Sequence, residues 1–384
     1  VKPRNRAARP ARLAVIIPAH NEEAVIAATL GDVMAQLTAD DEALVVADNC
    51  SDATAEAARR AGARVIERTN RDDIGKGFAL QFGLDAIRER PPAAVVFVDA
   101  DCRLGAGVLD RVASIAVAEQ RPAQALYLMH APEGAPLGRR VAEFAWLMMN
   151  RVRMAGLYTV FGATRITGAG MALPWTLAAR LDLGSGEIVE DQYLTLRMVK
   201  DRTAPILVSD ALVTSEFPDA DAAAAIQHAR WEHGSLRFAA RHVAGMAATA
   251  IRTGNLALAA LALDFAIPPL TVFAMVLAGG LALGLAALFL GTTAPLILAV
   301  TAAGLFAAAV LAAWARFGQS VLPVSRLGDV AGYVAGKNAV YDDKARRSTQ
   351  SWTRTERARE RPQETAREGA QERAETPPDP GVKR

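Results

Sequence analysis

Two aspartates separated by one alanine, Asp99 and Asp101, follow the apolar run AAVVFV. The run is typical of a buried strand, and side chains two positions apart on a strand point to the same side. Like charges held this close repel each other unless a positive group lies near them. Mg²⁺ and Mn²⁺ prefer oxygen ligands, and they commonly combine one or two protein carboxylates with phosphates. The pair is therefore a candidate metal site, although acids at a strand end are also ordinary surface residues.

Two more polar groups follow apolar runs nearer the start of the chain. Pro18 and Glu22 lie in PAHNEE, and Asp48 and Asn49 lie in ADNCSD. The carboxylate, amide and hydroxyl groups of the second cluster could hydrogen-bond the base and ribose of a nucleotide. The same residue types also form turns and cap helices, so the pattern alone leaves both interpretations.

Lys76 lies between two glycines in RDDIGKGFAL. The missing side chains on either side would let its ammonium approach a phosphate or a base. The spacing is not that of a P-loop, because no GxxxxGK[ST] is present. No GxGxxG follows the first apolar run either, which disfavours a dinucleotide-dependent dehydrogenase.

Two groups in the second half of the chain could act on an acceptor. Glu190 and Asp191 in GEIVEDQYL could supply a general base, which must reach a hydroxyl and be ionised; an acid pair at a helix start is the alternative. Gln227, Arg230 and Trp231 in QHARW lie within about one helical turn. Trp offers a stacking face for a sugar and Arg a charge for a diphosphate, while packing and solvation would explain them equally well.

The elements that must position these residues alternate between strand and helix over residues 12 to about 125. This alternation predicts an α/β fold, a mostly parallel sheet with helices on both faces. We expect Asn21 to be the N-cap of the first helix. In such sheets ligands bind at the carboxyl ends of the strands, where three of the polar groups lie.

The character of the chain changes after Leu256, where long segments are nearly free of charge. A helix needs about 20 apolar residues to cross a bilayer, and we place spans near 269–290 and 295–315, with a buried soluble hairpin as the alternative. Arginines flank the pair on both sides, so both flanks should be cytoplasmic. The apolar and aromatic segment 141–162 could be a buried helix or one lying in the membrane interface.

Composition narrows the remaining classes. The formal net charge of +2 gives no reason to expect a nucleic-acid binder, and two cysteines are too few for a disulfide scaffold. The basic opening stretch lacks the apolar core of a secretory signal. Whether a membrane segment precedes this stretch is left undecided by the sequence.

The motifs PAHNEE, ADNCSD, GKG, DAD, GAG, ED and Q-x-x-R-W occur in this order before the apolar segments. This order resembles membrane-bound family 2 glycosyltransferases of the cellulose synthase-like and hyaluronan synthase-like group. The resemblance covers about residues 10 to 320, and WTRTER (352–357) is similar to a W-x-R-T-x-R element found after the spans in many relatives.

The resemblance implies a GT-A fold and inverting transfer from a nucleotide sugar, most often a UDP-sugar. Asp99 and Asp101 would hold Mg²⁺ or Mn²⁺, and Asp191, beside Glu190, would deprotonate the acceptor. The nucleotide-binding residues would be Pro18, Glu22, Asp48, Asn49, Lys76 and Asp99. The acceptor and diphosphate site would be lined by Gln227, Arg230 and Trp231.

The predicted organisation has five parts. They are a basic arm (1–11), a cytoplasmic GT-A domain (12–250), a membrane hairpin (251–320), a membrane-proximal segment (321–357) and a disordered charged tail (358–384).

Three functions remain. The first is a multi-pass enzyme of the inner membrane that transfers a sugar to a lipid-linked or glycan acceptor, in surface polysaccharide or glycolipid synthesis. The second is a processive β-glycan synthase of the cellulose, hyaluronan or poly-N-acetylglucosamine type. The third is a catalytically silent membrane scaffold for polysaccharide-assembly partners. Polymerising relatives have more spans than we find here, and the intact acids disfavour the scaffold.

Overall fold

A computed structural model describes residues 9–184, 189–217 and 221–336. Within these residues one sheet contains eight strands: β1 Leu13–Ala19, β2 Glu42–Asp48, β3 Arg64–Arg68, β4 Ala94–Phe97, β5 Arg103–Leu104, β6 Ala123–His130, β7 Met171–Pro174 and β8 Ile206–Glu216. Their order across the sheet is β3-β2-β1-β4-β7-β6-β8-β5.

The sheet is mixed, which corrects the prediction of a mostly parallel one. Strands β3, β2, β1 and β4 are parallel neighbours, as the strand–helix alternation predicts. Beyond β4 the pattern changes, because β7 is antiparallel to both of its neighbours and β5 is antiparallel to β8. Antiparallel strands do not need a helix between them. The strand–helix alternation of the first half therefore does not predict how the strands of the second half pair.

The helices of the sheet region are α1 Ile26–Met34, α2 Thr54–Arg60, α3 Lys76–Ala86, α4 Val108–Glu119, α5 Leu137–Leu147, α6 Met154–Phe161, α7 Trp175–Ala178 and α8 Glu190–Lys200. A π-helical segment, Met148–Arg153, joins α5 to α6. The helices that follow are α9 Asp221–Thr253, α10 Leu256–Ala266, α11 Leu270–Leu288, α12 Ala294–Ala313 and α13 Leu327–Gly336.

Both faces of the sheet are covered, as predicted. Alternate residues of β1 enter different cores: Val15 and Ile17 pack in one cluster with residues of α1, α2 and α4, while Ile16 packs in another with residues of α3 and α8. All three side chains are fully buried. The strand therefore has apolar residues on both of its sides, as expected for a sheet between two helical layers.

The start of α1 differs from the prediction. Asn21 does not cap this helix: it has a φ of +55°, and α1 begins at Ile26. The Asn21 side chain instead accepts a hydrogen bond from the backbone N–H of Ser51 at 2.7 Å. Its amide is used to join two loops at the carboxyl edge of the sheet, so it is not available to the helix.

The C-terminal helices support one of the two predicted membrane spans. α12 continues into a π-helical segment, Trp314–Gly318. Within the described residues, the resulting helix Ala294–Gly318 is the one long and apolar enough to cross a membrane, with a mean hydropathy of 2.5. It coincides with the second predicted span. The first coincides with α11, whose described apolar part is the shorter segment Val272–Leu288. The two-span arrangement stays a prediction, and WTRTER and the charged tail lie outside the described residues.

Candidate active site

Asp99 and Asp101 lie in a turn just after β4, which ends at Phe97. The backbone N–H of Cys102 donates to the carbonyl of Asp99 at 3.1 Å, which closes the turn. The two carboxylates are thus presented by a turn. The prediction that they project from the same side of an extended strand is wrong. Asp101 Oδ2 accepts a hydrogen bond from the hydroxyl of Ser215, at the end of β8, at 2.8 Å.

Lys76 is the positive group beside this turn. Its Nζ lies 2.5 Å from Asp99 Oδ1 and 3.8 Å from Glu190 Oε1. It also donates to the carbonyl of Gly168 at 3.1 Å. One ammonium therefore joins four motifs that are far apart in the chain: GKG, DAD, GAG and ED.

Gly168 permits this close approach. Its φ is +81°, in a backbone region that residues other than glycine rarely adopt. A Cβ at this position would lie 3.2 Å from Lys76 Nζ. The glycine thus lets its own carbonyl face the ammonium.

The charges around Lys76 shift one another's ionisation. Burial raises the pKa of Glu190 to about 7, although Lys76 opposes this rise. Burial alone would lower the pKa of Lys76, but Asp99 and Glu190 outweigh it, and the pKa is raised. The Lys76 ammonium therefore stays charged at neutral pH, whereas the Glu190 carboxyl gains or loses its proton close to neutral pH.

Asp191 is the second residue of the same helix, α8, and hydrogen bonds from within that helix hold both its carboxyl and its carbonyl. Its Oδ1 accepts from the N–H of Gln192 at 2.9 Å, and its carbonyl accepts from the Thr195 hydroxyl at 2.7 Å. Burial raises the pKa of the Asp191 carboxyl, and Arg165 and then Lys76 oppose the rise. A carboxyl that is partly buried and balanced by cations has the surroundings expected of a general base.

The DAD turn has a donor set that suits a hard divalent cation. One potential ligand atom each from Asp99, Asp101 and Cys102 lies within 4.8 Å of the others. Cys102 is fully buried, and burial together with Asp101 raises the pKa of its thiol well above the usual value. The thiol therefore stays protonated, and the two carboxylates remain as the ligands that Mg²⁺ or Mn²⁺ would prefer.

The predicted base-binding residues lie at the ends of β1 and β2. Asp48 is buried, and its Oδ1 accepts from Arg68 at 2.7 Å and from the Asn49 amide at 3.1 Å. Asn49 has a φ of +52°, and its side-chain oxygen accepts from the backbone of Asn70 at 2.9 Å. Arg68, at the end of β3, was not among the predicted site residues.

The PAHNEE loop is fastened to the ADNCSD loop. Pro18 lies within β1 and pairs with Val46 of β2. The backbone N–H of Glu22 donates to the Thr54 hydroxyl at 2.7 Å. The ring of His20 contacts the carbonyl of Asp48 at 2.6 Å. The two loops therefore form one continuous edge beside the DAD turn.

The Q-x-x-R-W motif lies on α9, and the side chains of Gln227 and Arg230 are outside the described part of the structure. Trp231 is partly buried and packs on Trp146, with ring centroids 5.3 Å apart. Trp146 in turn makes edge contacts with Tyr127 and Phe217. Trp231 thus belongs to an aromatic cluster, which agrees with the packing alternative and leaves its role at the acceptor site a prediction.

Three contributors to the site escaped the sequence analysis: Arg68, Ser215 and Arg165. Arg68 and Ser215 are at the ends of strands β3 and β8, so the carboxyl-edge argument applied to those strands would have singled them out. Arg165 precedes the Gly-rich turn and follows no strand. No local pattern distinguishes it from a surface arginine.

A mixed α/β sheet with clustered acids and a lysine at the edge formed by β1, β2 and β4 defines a ligand-binding α/β protein. The chain belongs to the family described as Glycosyltransferase like family 2, which matches residues 10–234. The chain is therefore a glycosyltransferase with a GT-A-like fold, as predicted. The cellulose synthase-like subgroup stays a prediction.

Solved structures give further similarities. A mannosyltransferase from Pyrobaculum calidifontis in complex with GDP-Man and Mn²⁺ is 21% identical, with 89% of this chain and 84% of that chain covered and a TM-score of 0.49. A glucosyl-3-phosphoglycerate synthase from Mycobacterium tuberculosis with Mn²⁺ and UDP-glucose is 22% identical, with 54% and 70% covered and a TM-score of 0.37. A search of curated proteins finds no match.

Proposed function

We propose that this glycosyltransferase moves a sugar, with inversion, from a UDP-sugar to a lipid-linked or glycan acceptor at the cytoplasmic face of the inner membrane. The product would belong to surface polysaccharide or glycolipid synthesis. The observation that carries the proposal is the cluster in which Lys76 joins Asp99, Glu190 and the Gly168 carbonyl. It joins the DAD and ED motifs, for which we propose donor and acceptor roles, through one ammonium.

The donor side would be formed by the edge of β1, β2 and β4. Asp48 and Asn49 would contact the base, together with Glu22 and Pro18 of the adjoining loop. Arg68 supports this role, since it orients the Asp48 carboxylate through a 2.7 Å hydrogen bond. Lys76 would face the diphosphate end of the nucleotide.

Asp99 and Asp101 would hold Mg²⁺ or Mn²⁺. The ion would supply positive charge where the leaving diphosphate develops negative charge. Ser215 supports the assignment, because its hydroxyl donates to Asp101 Oδ2 and so holds that carboxylate in place at the turn.

Asp191 would act as the base. Its carboxylate would take the proton of the acceptor hydroxyl while that oxygen attacks the anomeric carbon from the face opposite the diphosphate. The bond from the anomeric carbon to the phosphate oxygen breaks, and its electron pair leaves with the diphosphate. No covalent enzyme intermediate is needed, and Arg230, with Gln227 and Trp231, would complete the acceptor and diphosphate side.

An apolar surface supports a membrane location. The helix Ala294–Gly318 has only 6% of its most apolar window buried, and Leu298 and Leu305 on it are 72% and 69% exposed. A helix that exposes large apolar side chains along its length suits lipid better than water.

The test is nucleotide-sugar turnover by the full chain purified in detergent with Mn²⁺. UDP-glucose, UDP-N-acetylglucosamine, UDP-galactose and GDP-mannose would be supplied with a membrane lipid extract, and release of UDP or GDP measured. Asp191→Asn should lower kcat by about 10²–10⁴ with little change in the KM for the donor. Asp101→Asn should weaken Mn²⁺-dependent donor binding, measured by calorimetry.

Asp201→Asn is the matched control, because Asp201 lies at the other, exposed end of α8. It should behave as wild type. Equal turnover by wild type and Asp191→Asn would refute the assigned base. Turnover of GDP-mannose alone would refute the UDP donor, and product length on a gel would separate single addition from polymer synthesis.

A further inference from the structure

Arg165 is a buried arginine behind the proposed base. It lies between α6 and β7, and only 7% of its surface is exposed. A buried guanidinium is costly unless carboxylates balance its charge. Two carboxylates do so here, Asp264 and Asp191.

Asp264 anchors Arg165 from one side. It lies near the end of α10 and is 4% exposed. Its Oδ1 accepts from Arg153 Nε at 2.6 Å, and its carbonyl accepts from Arg153 Nη2 at 3.1 Å. Its Oδ2 lies 3.7 Å from Arg165 Nη1. Arg153 thus takes the hydrogen bonds, while Asp264 attracts Arg165 by charge alone within the described residues.

The helix that carries Asp264 is itself fastened to α8. Asn255, the N-cap of α10, donates from its amide to the carbonyl of Val199 on α8 at 2.9 Å. Apolar residues of both helices, among them Leu196 and Leu261, share one buried cluster. The position of α10, which carries Asp264, is therefore fixed relative to α8 by a hydrogen bond at its start and by apolar packing.

The backbone next to Arg165 is tied to the start of α8. The N–H of Ile166 donates to the Thr195 hydroxyl at 3.0 Å, and that hydroxyl donates to the carbonyl of Asp191 at 2.7 Å. Thr195 is fully buried. One hydroxyl therefore sets the spacing between the backbones of Arg165 and Asp191.

We propose that Arg165 is a positioning residue for the acceptor base: its guanidinium, paired with Asp264, which Arg153 holds in place, supplies a fixed positive charge behind the Asp191 carboxylate. This inference rests on the proposed role of Asp191. The described charged groups that act on Asp191 are Arg165 beside β7, Lys76 on α3 and Glu190 on α8. Lys76 also forms ion pairs with Asp99 and Glu190. Among these acids of the proposed active site, Arg165 acts on Asp191, so its charge affects the proposed base more specifically than the charge of Lys76 does.

The test measures the ionisation of Asp191 directly and needs no donor. The full chain would be labelled with [γ-¹³C]aspartate, kept metal-free in detergent, and its carboxyl signals followed against pH by NMR. The signal that disappears in Asp191→Asn is assigned to Asp191. Arg165 is the strongest charge that lowers the pKa of Asp191, and one nearby opposite charge lowers a carboxyl pKa by about 1–3 units, so Arg165→Gln should raise the midpoint by that amount.

Two variants bracket this result. Arg165→Lys keeps the positive charge and should hold the midpoint within about one unit of wild type. Arg197→Gln removes an exposed arginine from α8 and should leave the midpoint unchanged. The acid limb of the kcat profile should move upward with the midpoint, so that the activity lost by Arg165→Gln at pH 7 is partly recovered at pH 9.

An unchanged midpoint in folded Arg165→Gln would overturn the proposal. If that variant fails to fold, Arg165→Lys decides: a midpoint near that of wild type supports the proposal, and a rise above one unit overturns it. A wrong assignment of Asp191 as the base would be detected separately, because Asp191→Asn would then keep its activity whatever the midpoints are.

Discussion

Replacing Lys76 by methionine should destabilise the protein, and by more at alkaline than at acid pH. Methionine has a comparable apolar stem but no charge, so Asp99 and Glu190 lose the ammonium at 2.5 and 3.8 Å. At an effective dielectric constant of about 20, a pair of charges 3.8 Å apart interacts by about 4 kcal/mol. Breaking a buried ion pair costs about 3–5 kcal/mol.

Solvent reduces that cost, because the Lys76 side chain is 22% exposed. We therefore expect a loss of about 2–4 kcal/mol in the free energy of unfolding at pH 8.5. For a domain of this size that is roughly 4–16 °C in Tm.

The pH dependence follows from Glu190. Its folded pKa of about 7 lies above the ordinary value of 4.5, so the folded state keeps a proton that the unfolded state has lost, and stability falls as pH rises through this window. Without Lys76 the folded pKa rises further and the window widens. The variant should therefore lose about 2 kcal/mol more than wild type between pH 5.5 and 8.5.

Thermal unfolding followed by intrinsic fluorescence, in detergent with EDTA, measures both effects. Lys200→Met is the matched control, since Lys200 is exposed at the end of α8. The reasoning is refuted if Lys76→Met and Lys200→Met lose the same stability, or if the loss from Lys76→Met is the same at both pH values.

Two further substitutions test the frame around the site by thermal unfolding. Gly168→Ala should cost about 1–3 kcal/mol, because φ is +81° and the new Cβ meets Lys76 Nζ. Gly156→Ala, on α6 with open space around it, should be neutral or stabilising by up to about 1 kcal/mol, and an equal loss in both would contradict the backbone argument. Asp264→Asn should cost about 3–5 kcal/mol, since it removes the carboxylate that binds Arg153 and one of the two that balance Arg165; a loss below about 1 kcal/mol would show that these ion pairs contribute little.

Much of the first half of the fold could be predicted because its signals are local. Apolar runs followed by helical patterns marked β1, β2 and β4, and the rule for carboxyl ends directed attention to Asp48 and Asp99. The prediction was less accurate where pairing depends on distant strands. β7 enters antiparallel to β4, and no pattern within its four residues indicates the neighbour beside it.

The amino-acid sequence by itself determined which residues could do chemistry: two acids after a strand, a lysine between glycines and an acid pair at a helix start. These are properties of residue type and near neighbours. Only the tertiary structure decided which of them meet. Lys76 and Gly168 are 92 positions apart, and Arg153 and Asp264 are 111 apart. Such contacts depend on strand order and helix packing, which are settled by the whole core. The positive partner of Asp99 in the protein itself is therefore Lys76, a contact that the spacing of the two acids could not indicate.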